Sequence, residues 1–102
     1  TITNDGNQKR DFTYVGDVVH ANMLAANFPT KLKGDVFNIG NGDNVSINEV
    51  ADMFGGQKVY GEKRLEPFET LADNQKAKKI LNWIPQGNLS HWIKKYKLEL
   101  GI

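Results

Sequence analysis

The side chains best suited to binding chemistry lie in one short stretch in the second half of the sequence. Residues 61–68 contain Pro67 and four charged side chains, a composition that argues against a regular helix or strand. Thirteen lysines and arginines nearly balance twelve acidic residues, so any anion site must be local. Irregular segments often carry binding residues, although a solvated charged loop has the same composition. We predict a site in this segment.

Two further features suggest chemistry more weakly. Gly40 and Gly42 flank a turn between a predicted strand and a predicted helix, as in a phosphate-binding loop. Their spacing matches neither nucleotide-binding fingerprint, so we predict a plain turn. Asn38 lies in an apolar run, and a buried amide there needs a hydrogen-bond partner. That partner is either a ligand or the backbone of a neighbouring loop.

Composition excludes several other kinds of site. The chain has no cysteine, and His20 and His91 have no metal or nucleophile partner nearby in sequence, so we expect neither a disulfide nor a metal site. A formal charge of +1 predicts no nucleic-acid partner and no membrane partner. Asp17 and Asp73 are better explained as helix caps than as catalytic acids. A cysteine-free chain suits a reducing cytoplasm, where we expect the protein.

The elements that position these residues form an α/β pattern of about four helices and two or three short strands. Hydrophobic alternation predicts strands at residues 11–15, 36–40 and 58–60. Helical periodicity and capping signals predict helices over about 17–26, 47–54, 73–82 and 89–100. Three strands are too few for an independent doubly wound sheet, so we expect an exposed edge or face that meets another segment.

The same periodicity predicts which side of each helix is buried. The positions at core spacing are, in chain order, Val15, Val18, Val19, Met23, Ala26, Ile47, Val50, Ala51, Phe54, Ala77, Ile80, Leu81, Leu89, Trp92, Ile93, Tyr96 and Leu100.

Six stretches of the sequence, in their order and spacing, resemble one family. They are GNQKRDFTYVGDVV (6–19), DVFNIGNG (35–42), SINE (46–49), RLEP (64–67), TLADNQKA (70–77) and LNWIP (81–85). The chain is similar to the extended short-chain dehydrogenase/reductase enzymes that act on nucleotide sugars, the NAD-dependent epimerases and dehydratases such as UDP-glucose 4-epimerase. The resemblance implies that residues 1–102 are the C-terminal substrate-binding portion of a Rossmann-type enzyme. It also implies that an N-terminal NAD-binding domain is missing from this piece.

The resemblance assigns roles to four residues. Arg10 matches the arginine that approaches the substrate diphosphate, although it could instead pair with Asp11 or a nearby carboxylate. Arg64 resembles a second diphosphate arginine, and Glu66 resembles the acid that accepts from a ribose hydroxyl. Relatives often have one more residue between this arginine and this acid, so Lys63 could take the phosphate position. Asn38 lies near the nucleotide in relatives with a similar strand.

The resemblance places the catalytic machinery outside this chain. In relatives the Tyr-x-x-x-Lys pair and the glycine-rich NAD loop lie upstream, and neither pattern occurs among these residues. We expect no catalytic residue here, no cofactor bound by this chain, and NAD in the full-length enzyme. The expected partners are a nucleoside diphosphate sugar and either a Rossmann domain or further copies of the chain. The alternative is a free-standing nucleotide-binding or protein-docking module without enzymatic activity.

Overall fold

Four helical segments and one small antiparallel sheet of two strands make up the fold, in agreement with the predicted number of helices and short strands. A computed structural model describes all of residues 1–102. Its elements are β1 (Lys9–Arg10), α1 (Val15–Ala26), β2 (Val45–Ser46), α2 (Ile47–Phe54), a π-helical segment (Ala77–Leu81) and α3 (Leu89–Leu100). The molecule measures 51 × 33 × 15 Å, so it is only about one helix and one further layer thick along its shortest axis.

Local signals define the ends of α2 and α3. The Ser46 hydroxyl accepts from the Glu49 N–H at 3.1 Å and donates to the Glu49 carboxylate at 3.2 Å, so the predicted capping interaction is present. Gly55 ends α2 with a φ of 82°, which a residue with a side chain rarely adopts. The Asn88 side chain accepts from the His91 N–H at 3.1 Å and caps α3, whose bounds agree with the prediction.

The core lies between α1 and the π-helical segment Ala77–Leu81, which packs against it. Ala21, Ala77, Leu81 and Trp83 form its buried centre. The Trp83 indole N–H donates to the Asp17 carbonyl at 2.9 Å. These contacts join the first helix to the second half of the chain, as the predicted burial of Ala77 and Leu81 requires.

Asp17 is buried but does not cap α1 as predicted, because the helix begins two residues earlier, at Val15. Its carboxylate accepts from the backbone N–H groups of Gln86 at 2.9 Å and Gly87 at 2.8 Å. A carboxylate that receives such bonds is well satisfied despite its burial. Asp17 therefore fixes the loop that leads into α3.

The strands differ from the sequence prediction in position. β1 lies at Lys9–Arg10 rather than at 11–15, and it pairs antiparallel with β2 so that Lys9 lies opposite Ser46. Of the predicted strand at 58–60, only a single parallel bridge between Tyr60 and Ile2 is present. Residues 11–14 instead lead directly into α1.

The apolar run 36–39 has the alternation of a strand but no neighbouring strand. Phe37 and Ile39 are half-buried against the core, while Val36 and Asn38 are exposed. The side-chain pattern was thus predicted correctly and the sheet pairing was not, because a ladder needs a second strand.

Lys76 holds the start of this run. Its ammonium donates to the Asp35 carboxylate and, at 2.8 Å, to the Val36 carbonyl. It also lies 4.9 Å from the centre of the Phe37 ring, within the range of a cation–π contact. The side-chain hydrogen bond from Lys76 lowers the pKa of Asp35 below its ordinary value, so the carboxylate stays ionised, and paired, to a more acidic pH than an isolated aspartate would.

α1 is apolar on two sides, and the structure buries the side that the sequence analysis did not select. The buried and half-buried side carries Asp17, Ala21, Leu24 and Ala25, and Phe28 just after the helix is half-buried as well. The predicted core face is exposed: Val15 by 70%, Val19 by 55% and Met23 by 56%. Helical spacing cannot choose between two apolar faces, and a helix that is apolar all round is normally covered all round.

Four other predicted core positions, one in the π-helical segment and three on α3, are also exposed: Ile80, Trp92, Tyr96 and Leu100. On α3 only Ile93 is fully buried. Trp92 and Tyr96 stack on each other with ring centres 4.8 Å apart, and Tyr96 meets Phe54 of α2 edge-on at 6.4 Å. Their spacing therefore serves helix–helix packing at the surface rather than a closed core.

Candidate functional site

An arginine and a glutamate from distant parts of the sequence meet at the end of β1. The Lys9 N–H donates to the Phe68 carbonyl at 2.8 Å, and the Lys9 carbonyl accepts from the Thr70 N–H at 3.0 Å. These bonds bring residues 61–68, here called the charged loop, beside the strand. Arg10 Nη2 then lies 3.5 Å from Glu66 Oε2, with the two side chains 22% and 28% exposed. At that distance the contact is an ion pair rather than a good hydrogen bond. Most of the five guanidinium N–H donors remain available.

The two carboxylate oxygens of Glu66 have different surroundings. Oε1 accepts from Asn4 Nδ2 at 2.8 Å, Gln8 Nε2 at 2.9 Å and Thr3 Oγ1 at 3.1 Å. Oε2 has only the long contact with Arg10. Glu66 is therefore anchored through one oxygen and open to a new donor through the other.

Glu66 also lines a polar cavity of about 310 Å³, whereas Arg10 lines a separate small cavity of about 40 Å³. The lining residues of the larger cavity are Asn4, Asp5, Gln8, Lys63, Arg64, Glu66, Pro67 and Phe68. The Arg64 N–H donates to Asn4 Oδ1 at 3.0 Å, and its carbonyl accepts from Asn4 Nδ2 at 3.2 Å, so the backbone here is fixed. Lys63 and Arg64 both line the cavity and neither forms an ion pair, so the structure leaves both as candidates for a phosphate contact.

Asp11 organises the site, although the sequence analysis gave it no such role. Its carboxylate accepts from the backbone N–H groups of Asn41 at 2.9 Å, Gly42 at 3.0 Å and Ala72 at 3.1 Å. Of the two pairings considered for Arg10, the one with another carboxylate, Glu66, is present, and the one with Asp11 is not. The three backbone groups that Asp11 binds lie at least 30 positions away in sequence, so no local signal could reveal this role.

The glycine turn is explained by close packing. A Cβ on Gly40 would lie 2.3 Å from the Ala72 Cβ, and one on Gly42 would lie 2.8 Å from Asn74 Nδ2. Asn74 is buried and donates to the Gly40 carbonyl at 2.9 Å. The two glycines thus allow the turn to approach its neighbours, and they need no phosphate to account for them.

Asn38 is not brought to the other predicted site residues. Its side chain is exposed, makes no hydrogen bond and lines none of the main cavities. The alternative in which it satisfies a neighbouring loop is therefore wrong.

The remaining features offer little chemistry. A second cavity of about 300 Å³ is lined mainly by Phe12, Tyr14, Leu89 and Trp92 and contains no charged side chain. No group of three or more acidic or histidine side chains could hold a metal ion. None of the helices has the length and apolar character needed to span a bilayer.

Comparison with known proteins identifies relatives along nearly the whole chain. Residues 1–40 match the NAD dependent epimerase/dehydratase family. The putative UDP-glucose 4-epimerase of Methanocaldococcus jannaschii is 40% identical over 101 residues, which are 92% of this chain and 32% of that protein. The UDP-glucuronate 4-epimerase of Thermodesulfobacterium geofontis is 31% identical over 92% of this chain and 31% of its own length.

The fold agrees with the sequence match. The crystal structure of UDP-glucuronic acid 4-epimerase from Bacillus cereus, in complex with UDP-glucuronic acid and NAD, superimposes with a TM-score of 0.82 at 30% identity. This superposition covers 97% of this chain and 35% of that one. The chain is thus similar to proteins of the NAD-dependent epimerase/dehydratase family over nearly its whole length. It spans about a third of the length of the family members that it matches.

Proposed function

We propose that the chain is the C-terminal, nucleotide-sugar-binding portion of an NAD-dependent nucleotide-sugar epimerase or dehydratase. The observation that carries this proposal is the pair formed by Arg10 and Glu66, of which Glu66 lines a polar cavity together with the unpaired cations Lys63 and Arg64. Sequence relatives named as UDP-glucose and UDP-glucuronate 4-epimerases support the ligand class. A uridine diphosphate sugar is the first candidate.

In this proposal the nucleoside diphosphate lies across β1 and the charged loop. Arg10 donates paired hydrogen bonds to diphosphate oxygens through its planar guanidinium, which a lysine cannot reproduce. Arg64 or Lys63 adds a second positive charge from the cavity wall. The open Oε2 of Glu66 accepts from a ribose hydroxyl. The ligand thereby replaces the long Arg10–Glu66 contact with shorter bonds to both residues. A contact from Asn38, as the resemblance suggests, stays a prediction.

We propose that catalysis and NAD belong to a part of the enzyme outside these 102 residues. None of the three tyrosines, Tyr14, Tyr60 and Tyr96, is followed four residues later by a lysine. The residues present do not fit a dinucleotide, because the Gly40–Gly42 turn is filled by Ala72 and Asn74 rather than open to a pyrophosphate. This chain therefore binds and orients a substrate but does not transform it. The cytoplasm stays the expected location.

The direct test is an NMR titration of the labelled chain with UDP, dTDP and GDP. We expect chemical-shift changes at Arg10 and at residues 63–66, with dissociation constants in the micromolar to millimolar range typical of a half-site (~4–8 kcal/mol). The three nucleotides rank the preference for the base. If none of them moves a peak at millimolar concentration, the binding proposal is wrong.

A protein-docking module is the second candidate, and the exposed outer face of α1 favours it. Val15, Val18, Val19 and Met23 form an apolar surface on a helix whose opposite side is already packed. The run 36–39, which pairs with no strand of this chain, could in addition form backbone hydrogen bonds with a strand of the partner. In the enzyme proposal the same surface meets the NAD-binding domain, and in the free chain it meets another copy.

We predict that Val19→Glu converts a self-associating chain into a monomer. A charge at the centre of the outer face of α1 cannot be buried without a partner, so association should weaken by at least tenfold. Sedimentation velocity at increasing protein concentration measures this change. His20→Glu is the matched control, because it places the same charge on the same helix about 100° away. A wild-type chain that stays monomeric throughout would contradict the docking candidate.

A further inference from the structure

Gln8 is a buried polar residue whose contacts are incomplete. It is 4% exposed, and its amide nitrogen donates to the Thr3 carbonyl at 2.9 Å and to Glu66 Oε1 at 2.9 Å. These two acceptors fix which way the amide group points. Its oxygen is buried and has no hydrogen-bond partner.

An unpartnered buried acceptor destabilises a fold, so stability alone does not account for a glutamine at this position. A methionine of similar length would fill the same space without the unsatisfied oxygen. The amide nitrogen does have a definite effect, because it is the buried donor among the three that hold Glu66 Oε1. Thr3 and Asn4, which supply the other two donors, are only half-buried.

We propose that Gln8 is a positioning residue that orients Glu66 for a ligand hydroxyl. With Oε1 occupied by three donors, only Oε2 can accept a further hydrogen bond, and it points to the side where Arg10 lies. Without Gln8 only the two half-buried donors Thr3 and Asn4 hold Oε1, so the carboxylate can rotate more easily and present both oxygens to the guanidinium, the usual geometry of an arginine–carboxylate pair. This inference rests on the proposed function and adds a selectivity for ligands that carry a ribose diol.

The test compares UDP with 2′,3′-dideoxy-UDP, which lacks the two ribose hydroxyls. We expect the wild-type chain to bind UDP about tenfold or more tightly than the dideoxy compound, because a hydrogen bond to a charged group is lost. Gln8→Met should reduce this ratio to about twofold or less while circular dichroism stays unchanged. The ratio isolates the hydroxyl contact, since any general weakening of the Arg10 site affects both ligands.

A double-mutant cycle separates positioning from a general structural role. The single substitution Glu66→Gln should remove the preference for UDP over 2′,3′-dideoxy-UDP. The double substitution of Glu66→Gln with Gln8→Met should then give the same affinity ratio as Glu66→Gln alone. Thr3→Val deletes another donor to Oε1 at nearly constant shape, and we expect it to lower the ratio partly. It serves as the test if Gln8→Met does not fold.

The outcomes that overturn the inference differ from those that overturn the proposed function. If Gln8→Met keeps the wild-type ratio while Glu66→Gln abolishes it, Gln8 does not position Glu66 and the binding function stands. If Gln8→Met does not fold and Thr3→Val keeps the wild-type ratio, the anchoring of Oε1 does not set the preference, and the inference is overturned in the same way. A wild-type chain that binds both compounds equally removes the role of Glu66 and this inference with it. If neither compound binds, the proposed function fails and the inference fails with it.

Discussion

Replacing Trp83 with alanine is expected to unfold a large fraction of the chain at 25 °C. Trp83 is fully buried, belongs to the four-residue centre of the core and donates to the Asp17 carbonyl at 2.9 Å. Removing a buried tryptophan costs about 3–5 kcal/mol. Only 12 of 102 residues are buried, so we place the total stability at the low end of about 5–15 kcal/mol. Urea denaturation followed by circular dichroism measures the loss.

The second tryptophan provides the control for this prediction. Trp92 is 44% exposed and stacks on Tyr96 at the surface of α3. Trp92→Ala should therefore cost only about 1 kcal/mol, the size of an aromatic pair contact. Equal losses of stability for the two substitutions would show that the core is not centred on Trp83.

Replacing Arg10 with alanine is expected to weaken UDP binding by roughly 10- to 100-fold. Hydrogen bonds to charged groups contribute about 1.5–3 kcal/mol, and about 1.4 kcal/mol corresponds to a factor of ten. Arg10→Lys should recover only a small part of this loss, because an ammonium cannot donate two parallel bonds to a diphosphate. Isothermal titration calorimetry with UDP measures the affinities.

A variant with the same change of charge tests whether position matters. Lys31→Ala removes one positive charge from an exposed loop that lines none of the main cavities. Because the Debye length at physiological ionic strength is about 8 Å, this change should alter UDP affinity less than twofold. Arg64→Ala and Lys63→Ala, measured in parallel, identify which of the two supplies the second phosphate contact. UDP affinity that does not respond to Arg10→Ala would exclude Arg10 from the diphosphate site.

Features encoded by neighbouring residues could be predicted from the sequence. The capping interaction of Ser46 with Glu49 involves positions three apart, and α3 ends at the predicted Leu100. The choice between the two apolar faces of α1 could not be predicted, because both have helical spacing and only tertiary contacts decide. The run 36–39 shows the same limit, since its alternation is local but its pairing depends on a partner strand.

Some residues of the candidate site could likewise be identified from the sequence, and others could not. The resemblance selected Arg10 and Glu66, which the fold brings within 3.5 Å, and it also selected Asn38, which lies apart from them. Asp11 and Gln8 were missed because they act through partners such as Ala72 and Glu66, which lie 61 and 58 positions away. Such contacts depend on how the charged loop folds back onto β1, and no periodicity encodes that.

Because the run 36–39 is unpaired, the free energy of local unfolding must differ from one part of the chain to another. The backbone groups of this run are tied to no sheet, and the run is held mainly by Phe37, Ile39 and the Lys76 contacts at its start. Local opening of such a segment requires far less free energy than separating α1 from Trp83. The run can therefore detach and re-form many times within the lifetime of the folded core, and it would become rigid only when a neighbouring strand joins it.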